Sequence, residues 1–342
     1  MRTSLPLFVL LAAGCGCQVV AASSDGGPTS APTSFPPDSL FPPRPGTSSS
    51  GTTQWFAITK FQLGVTNRTT GTADASAWKE YGYDLDGRNT TAEASKTSTN
   101  SCKRRPGSQT KVLADGNEGL DNNFGQHVMA VIRSLKSDSE EAINAAIADG
   151  TSTLLLELRN VSGPYNGKVP GALYGAARRG SCGEGWPIDV RSVDETKQAK
   201  VQFPNGYMAG GVWVSGDFGK ESIQLPLPWA GALLTLPLEG GVIAFRVSGE
   251  ESGTIAGLAP TGRVREALTP LLVQYGICPG NATYDQVVET LTQSADLVAG
   301  APSFQDVARE CDSLSIGLGF FVEKIAPVTC RTTGSPPPPG GC

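Results

Sequence analysis

Two short acidic loops carry the residues of this sequence whose types and spacing could do chemistry. In YDLDG, Asp84 and Asp86 flank a leucine. In DGNEGLDNNFG, Asp115, Asn117 and Asp121 occupy the first, third and seventh positions. Side-chain oxygens at alternate positions of a loop are a means of wrapping a calcium ion, which takes about six to eight oxygen ligands. The spacing predicts a structural Ca²⁺ site on which these five side chains converge.

Two other interpretations compete with the calcium site. Asp-Leu-Asp-Gly is also the nucleophile motif of haloacid dehalogenase-type phosphatases, where it follows a buried strand at the crevice of a parallel sheet. Here the residues before Asp84, SAWKEYGY, are polar and broken by glycine, and the chain has no alternating strand–helix pattern. We therefore reject the phosphatase interpretation. The second alternative, that the aspartates form only Asx-turns and that Asp121 or Asn122 caps a helix, stays open.

Composition limits the possible functions. The 342 residues carry a net charge of −5 and no long Lys/Arg block, which argues against nucleic acid as a partner because phosphate binding needs a basic face. His127 is the only histidine, so no HExxH motif or other His-rich metal site can be built. Paired carboxylates such as Glu184 and Asp189 keep a carboxylate-based hydrolase as an alternative.

The N-terminus is typical of a secreted, lipid-anchored protein. Arg2 precedes an apolar stretch too short to span a bilayer, so residues 1–14 are predicted to be a signal peptide. The small residues before Cys15 resemble a lipobox, which predicts acylation of Cys15 and anchoring in the outer membrane or at the cell surface. An ordinary signal peptide cut nearby is the alternative. Residues 15–53 are rich in Ser, Thr, Pro and Gly and are predicted to form a disordered tether.

The remaining chain predicts a β-rich α+β fold. Few charges and 42 glycines suit short strands joined by turns. We expect an antiparallel sheet or sandwich core with several short helices, in one domain covering residues 54–330, followed by a disordered tail at 331–342. The predicted elements include strands from Gln54 and Thr153, a helix with a capping box of Ser137 and Glu140, a helix over 261–275, a C-terminal helical hairpin whose second helix begins near Ser303, and a closing strand over 313–325.

Eight cysteines indicate disulfides in an oxidising compartment. The two helices of the predicted C-terminal hairpin are antiparallel and would bring Cys278 and Cys311 side by side, so we predict a disulfide between them. The pairing of the other cysteines stays open. No CxxC pair occurs, so zinc is not expected.

Several of these motifs resemble a group of secreted lipoproteins predicted from myxobacterial genomes. The motifs are YDLDG, Cys102, DGNEGLDNNFG, and CDSLSIGLGF from Cys311, and the tether after a lipobox fits as well. The resemblance implies a cell-envelope lipoprotein and carries over no catalytic residue. The motif positions are Asp84, Asp86, Gly87, Asp115, Gly116, Gly119, Asp121, Asn122 and Gly125.

Three functional hypotheses follow from the sequence. The first is a lipid-anchored envelope protein whose acidic loops hold structural calcium, and whose partner besides the membrane is a glycan or another envelope protein. The second is the carboxylate-based hydrolase, which requires two close carboxylates in a cleft. The third is an apolar-ligand carrier, suggested only by the apolar runs FAITKF and IGLGFF, which requires a deep pocket lined by aromatic residues and without acidic ones.

Overall fold

The computed structural model describes residues 42–90, 100–108, 112–229, 232–248, 251–334 and 341–342. The predicted signal peptide, the predicted lipidation site at Cys15 and most of the predicted tether lie outside these residues. Within the described ranges, no helix combines the length and apolar character that crossing a bilayer requires.

The described residues form fourteen strands and four α-helices, which confirms the predicted β-rich α+β class. The strands are β1 (Thr52–Gln62), β2 (Cys102–Lys103), β3 (Thr153–Val161), β4 (Gly171–Ala176), β5 (Ile188–Asp189), β6 (Val201–Phe203), β7 (Tyr207–Ala209), β8 (Val212–Val214), β9 (Ser222–Trp229), β10 (Ala232–Arg246), β11 (Glu251–Pro260), β12 (Asp306–Glu310), β13 (Ser313–Ile325) and β14 (Arg331–Thr332). The helices are α1 (Met129–Leu135), α2 (Ser139–Ala148), α3 (Thr261–Gln274) and α4 (Ala282–Gln293). A single π-helical turn, Phe124–Val128, leads into α1.

Twelve of these strands form one mixed sheet. Its order is β14-β5-β4-β3-β1-β13-β11-β10-β8-β7, with β6 paired to β4 and β9 paired to β10. The sheet is not purely antiparallel as predicted, because β14 runs parallel to β5. β2 and β12 form a separate parallel ribbon. The strand β13, correctly predicted over 313–325, lies near the middle of the sheet between β1 and β11.

The two faces of β13 differ in side-chain size, and this difference positions the acidic loops. Successive side chains of a strand point to opposite faces. The even-numbered residues of β13 are large and apolar, and they join the main core beneath the four helices: Leu314, Ile316, Leu318, Phe320 and Val322. The odd-numbered residues Ser315, Gly317 and Gly319 are small, so another segment of the chain can lie directly on this face.

A long hairpin arm closes the main core. The first half of β10 pairs only with β9, and its second half pairs with β11 and β8. The register shifts between Glu239 and Val242, where Gly240 has a φ of 59° that favours glycine. Alternate leucines and isoleucine of the arm are buried in the same core as the helices. The hairpin predicted between β10 and β11 is confirmed by their antiparallel pairing.

The boundaries of the folded domain were predicted too narrowly at both ends. Within the predicted tether, Arg44 pairs with Asp217 at 2.9 Å, and the Thr47 carbonyl accepts a hydrogen bond from the Gly167 N–H at 2.7 Å. Within the predicted tail, β14 adds to the sheet. Residues 42–53 and 331–332 therefore belong to the folded part, because their backbone and charged groups find partners there.

The predicted C-terminal helical hairpin is wrong in its second helix. Residues Pro302–Phe304 form one 3₁₀ turn, and Asp306–Glu310 form β12 instead of a helix. Val307, which the helical pattern placed on a buried face, is 62% exposed. Pairing with β2 therefore decides the conformation of this segment, a non-local contact that overrides a weak local helical pattern.

The predicted Cys278–Cys311 disulfide is also wrong, for the same reason. Without the second helix, Cys311 lies on the ribbon beside Cys102 and pairs with it, with a Cα–Cα distance of 5.2 Å. Cys278 pairs with Cys342 of the C-terminal tail. A third disulfide, between Cys182 and Cys330, joins two loops. These pairs confirm that the chain uses disulfides.

The predicted capping box of α2 is not formed. Asp138 is the N-cap residue and makes no side-chain cap hydrogen bond. Glu140 instead turns into the protein, where its carboxylate accepts hydrogen bonds from the Leu63 N–H and the Thr66 hydroxyl, both at 2.5 Å. Leu63 follows the end of β1, so its N–H has no partner in the sheet and bonds the Glu140 carboxylate instead. The carboxyl is buried, which raises its pKa.

Candidate metal centre

The first acidic loop lies on the small-residue face of β13. A β-carbon at position 317 would lie 2.5 Å from the Tyr81 carbonyl oxygen, and one at position 319 would lie 2.5 Å from the Tyr81 ring. Both glycines are therefore required for this close approach. The alternation Ser315-x-Gly317-x-Gly319 places all three residues on one face of the strand, where the two glycines admit Tyr81 and Gly82 of the first loop.

The second acidic loop is joined to the first by backbone pairing. The Asp121 N–H donates to the Tyr83 carbonyl at 3.0 Å, and the Asp121 carboxylate accepts from the Leu85 N–H at 2.6 Å. The Asn122 carboxamide oxygen accepts from the N–H groups of Gly125 and Gly317, at 2.9 and 3.0 Å. Asn122 thus caps the start of the helical segment and also covers the edge of β13 beyond the last residue pair with β1.

Three buried carboxylates come together where the loops meet. Asp84, Asp86 and Asp121 are 8%, 2% and 2% exposed, and each offers one oxygen such that all three oxygens lie within 4.8 Å of one another. Backbone N–H groups hold the first two carboxylates, from Gly87 to Asp84 at 2.6 Å and from Arg88 to Asp86 at 2.8 Å. This cluster could hold a metal ion.

Two further aspartates, Asp115 and Asp296, line a small cavity that Asp86 and Asp121 also border. The Asp115 carboxylate accepts a hydrogen bond from the Thr90 N–H, while the Asp115 N–H donates to the Thr90 carbonyl at 2.8 Å. The Asp296 carboxylate accepts from the N–H and the hydroxyl of Ser315, at 2.9 and 2.5 Å. Asp115 and Asp296 therefore extend the acidic cluster towards the ribbon, where the Ser101 hydroxyl donates to Asp86.

Burial raises the pKa of every carboxyl in the cluster. It raises the pKa of Asp84 to about 6, of Asp296 to about 6 and of Asp115 to about 9, and the neighbouring acidic groups raise each further. Asp121 is raised well above its ordinary value, and Asp86 is also raised. The physical cause is that a carboxylate loses its hydration when buried, and like charges close by oppose ionisation.

A bound cation would offset the repulsion between the ionised carboxylates and the loss of their hydration. Arg104 lines the cavity, but its guanidinium also donates to the carbonyls of Gln293 and Ala295. Arg88 lies beside Asp86 and donates to the Gln305 carboxamide at 2.6 Å. Two guanidinium groups do not balance five carboxyls, so the ionised cluster has a net negative charge. A divalent ion bound among these oxygens would favour ionisation of the carboxyls.

The cavity is the size of an ion and not of a substrate. Its volume is about 10 Å³, and its walls include Asp86, Asp115, Asp121 and Asp296. A volume of this order holds roughly one water molecule. The hydrolase hypothesis requires two close carboxyls in a cleft that admits a substrate. The close carboxyls are present, but a cavity of about 10 Å³ is too small to be such a cleft.

Of the five predicted ligands, Asp84, Asp86 and Asp121 form the cluster, and Asp115 lines the adjoining cavity with Asp86 and Asp121. Asn117 is the exception, because it is exposed in the 3₁₀ turn Asn117–Gly119, where Glu118 at a φ of 57° turns the chain away from the cluster. The alternating pattern therefore fails in the middle of the second loop. The Asx-turn alternative is also partly correct, since Asp84 accepts from the N–H groups of both Gly87 and Arg88. Turn formation and clustering use the same carboxylates.

Sequence reasoning missed Asp296. It follows α4 in the stretch QSADLVAG, without a second acidic residue or a glycine at alternate spacing. The only local signal is a single aspartate at the end of a helix, and such residues are common. Asp296 reaches the cluster because β13 presents Ser315 to it, which is a tertiary contact.

No protein-family model matches the chain, and a search of the curated proteins and of the solved structures found no significant match.

Proposed function

We propose that the folded part of this chain is a calcium-stabilised, non-enzymatic domain of a lipid-anchored cell-envelope protein. The observation that carries the proposal is the cluster of Asp84, Asp86 and Asp121, whose three buried carboxylates each offer one oxygen within 4.8 Å of the other two. Buried charges are paired or coordinate metals. A Ca²⁺ ion at this point would satisfy them.

The ligand chemistry favours calcium over other metals. The three clustered side chains offer only carboxylate oxygens as ligands, and carboxylate oxygens suit hard cations. The nitrogen and sulfur ligands that zinc prefers are not part of the Asp cluster. Asp115 and Asp296 supply the additional oxygens that a coordination number above four requires. Magnesium demands a stricter octahedral arrangement and retains its waters, for which a cavity of about 10 Å³ leaves little space.

The proposed location rests on cysteine chemistry and on the N-terminal sequence. Three disulfides among the described residues are consistent with an oxidising compartment. The predicted lipidation at Cys15 and the tether after it would hold the domain away from a membrane. In this arrangement the calcium ion stabilises the fold, and the domain surface binds a glycan or another envelope protein.

The experiment is a thermal melt of the purified protein in millimolar CaCl₂, in MgCl₂ and in EGTA. Ligand that binds only the folded state stabilises it by about 2.7 kcal/mol at 100 times its Kd. We expect calcium to raise the melting temperature, magnesium to raise it less, and Asp121→Asn to remove most of the calcium effect. Asp285→Asn, the same change at an exposed position on α4, is the control and should respond like wild type. Equal melting temperatures for wild type in calcium and EGTA would contradict the proposal and leave turn formation as the role of the aspartates.

A further inference from the structure

A second, larger cavity lies at the opposite end of β13 from the acidic cluster. Its volume is about 310 Å³, within the range of about 300–1,000 Å³ that is usual for small-molecule sites. One wall is the loop from Arg179 to Pro187, and the other is the segment from Ile325 to Cys330 that follows β13. The Cys182–Cys330 disulfide joins the two walls and fixes the width of the opening.

The lining of this cavity is mainly apolar, with one cationic group. The apolar contributions come from Trp186, Pro187, Ile325 and Val328, together with the disulfide. Arg179 is the only residue of the lining that carries an ionisable side chain. Such a lining suits a ligand with an apolar body and a single anionic group, because any other charge on the ligand would be desolvated without a partner.

The Arg179 guanidinium lies over an aromatic ring and near one carboxylate, but makes no hydrogen bond to either. Its Cζ lies 4.7 Å from the centre of the Trp186 ring, which holds the group over the ring by cation–π attraction. Its nearest acidic partner is Glu323, with Nη2 and Oε1 3.6 Å apart, which is too long for a hydrogen bond. Among the described residues, no acceptor receives a hydrogen bond from this guanidinium, and the side chain is 47% exposed. Its donors are therefore accessible to a ligand, and Arg179 and Trp186 lie between this cavity and a neighbouring one of about 140 Å³ that Glu323 also lines.

We propose that this cavity binds a small organic carboxylate with an apolar tail. The carboxylate accepts two parallel hydrogen bonds from the Arg179 fork, the geometry that guanidinium and carboxylate favour. The tail lies against Trp186, Ile325 and Val328. Because the contact with Trp186 already restrains the guanidinium, little side-chain entropy is lost on binding. The site is separate from the acidic cluster and does not depend on calcium.

The test is calorimetric titration of the full chain with octanoate and with octanamide, which has the same tail and no charge. Hydrogen bonds to charged groups contribute about 1.5–3 kcal/mol, so we expect octanoate to bind at least about tenfold more tightly than octanamide. Arg179→Met keeps an apolar stem over Trp186 and removes the fork, so it should abolish this preference. Arg178→Met removes a charge from the adjacent residue, which does not line the cavity, and should leave the preference intact.

A second variant guards against a folding defect in Arg179→Met. Arg179→Lys keeps the charge but not the bidentate fork, so it should prefer octanoate over octanamide while binding it more weakly than wild type. Three results would each overturn the proposal. They are no saturable binding of octanoate by wild type at millimolar concentration, equal affinity of wild type for octanoate and octanamide, or an unchanged preference in folded Arg179→Met.

Discussion

The two ends of β13 place charge in opposite environments. At its start, Ser315 and Gly317 leave room for two loops that bury carboxylates around a cavity of about 10 Å³. At its end, Arg179 lies half-exposed on Trp186 in the lining of a cavity of about 310 Å³. Buried charge must be neutralised for the chain to fold, whereas exposed charge is already hydrated. The start of the strand is therefore suited to a structural ion, and its end to an exchangeable ligand.

This comparison predicts that removing the Cys102–Cys311 disulfide has the largest effect, and that the effect extends to the acidic cluster. The bond joins residues 209 positions apart and holds the ribbon whose Ser101 hydroxyl donates to Asp86. Replacing both cysteines by serine should lower the free energy of unfolding by about 2–5 kcal/mol. It should also weaken the response to calcium, because the ribbon borders the cavity. Urea unfolding with CaCl₂ and with EGTA measures both quantities.

The matched control for the first prediction is the disulfide of the C-terminal tail. Replacing Cys278 and Cys342 by serine removes a bond between a partly exposed and an exposed residue, neither of which lines the cavity. This variant should keep the full calcium response, whatever its stability. An equal loss of calcium response in both double variants would show that the effect is general destabilisation.

The acidic cluster should make the calcium-free protein less stable as the pH rises. A carboxyl whose pKa is higher in the folded than in the unfolded state binds more protons when folded, so its contribution is fully present below the ordinary pKa and is lost through the folded one. With folded pKa values of about 6 for Asp84 and about 9 for Asp115, the window runs from the ordinary value of 3.8 to about 9. Each group contributes a slope of up to about 1.4 kcal/mol per pH unit between its two pKa values.

Melts in EGTA from about pH 5 to about pH 9 measure this slope. Asp115→Asn should reduce the slope in the upper part of the range, since an amide carries no titratable proton. Saturating calcium should abolish the slope or reverse it, because a bound cation favours the ionised carboxyls. The opposite result would be a calcium-free protein whose stability increases from about pH 6 to about pH 9. It would show that the clustered carboxyls are not buried with raised pKa values.

The small-residue face of β13 should tolerate almost no added volume. Gly317→Ala places a β-carbon 2.5 Å from the Tyr81 carbonyl oxygen, which the first acidic loop can avoid only by moving. Overpacking of this kind costs about 1–3 kcal/mol. Gly262→Ala, at a helical position with no atom within 4 Å of the added carbon, is the control and should be neutral or stabilising. Chemical denaturation of both variants decides whether the close approach is real.

How far the sequence predicts this molecule depends on the range of the interactions involved. β13 and α3 are recognised from apolar periodicity, and the cluster of Asp84, Asp86 and Asp121 from local spacing, because each signal lies within a short stretch. The signals that failed were tertiary. Asp296 joins the cluster through Ser315, and β12 replaces a helix by pairing with β2. The Cys102–Cys311 disulfide could not be predicted from the sequence, because it depends on the pairing of β2 with β12.

The Arg179 cavity could not be predicted from the sequence either, because tertiary contacts between distant segments form it. Arg179 and Trp186 occur in an exposed, glycine-rich loop, RRGSCGEGW, that contains no periodic pattern. Ile325 and Val328 come from a distant part of the chain, and only the Cys182–Cys330 bond and the sheet bring them opposite the loop. The sequence indicated an apolar carrier only through apolar runs that the structure places in β1 and β13. Those runs build the core and not the cavity.

The Arg179–Glu323 ion pair should contribute little to stability, in contrast to the buried charges at the other end of β13. In the ligand-free protein, the Arg179–Glu323 pair spans 3.6 Å between side chains that are 47% and 40% exposed. Exposed ion pairs of this kind contribute about 0–1 kcal/mol. Arg179→Met and Glu323→Gln should therefore each change the free energy of unfolding by less than about 1 kcal/mol, measured by urea unfolding at fixed calcium.

Glu323→Gln should also strengthen octanoate binding, because the ligand carboxylate then no longer competes with a neighbouring negative charge for the guanidinium. A large loss of stability in either variant would place Arg179 among the structural charges, as at the other end of the strand, and would remove the physical basis for treating it as a free ligand-binding group.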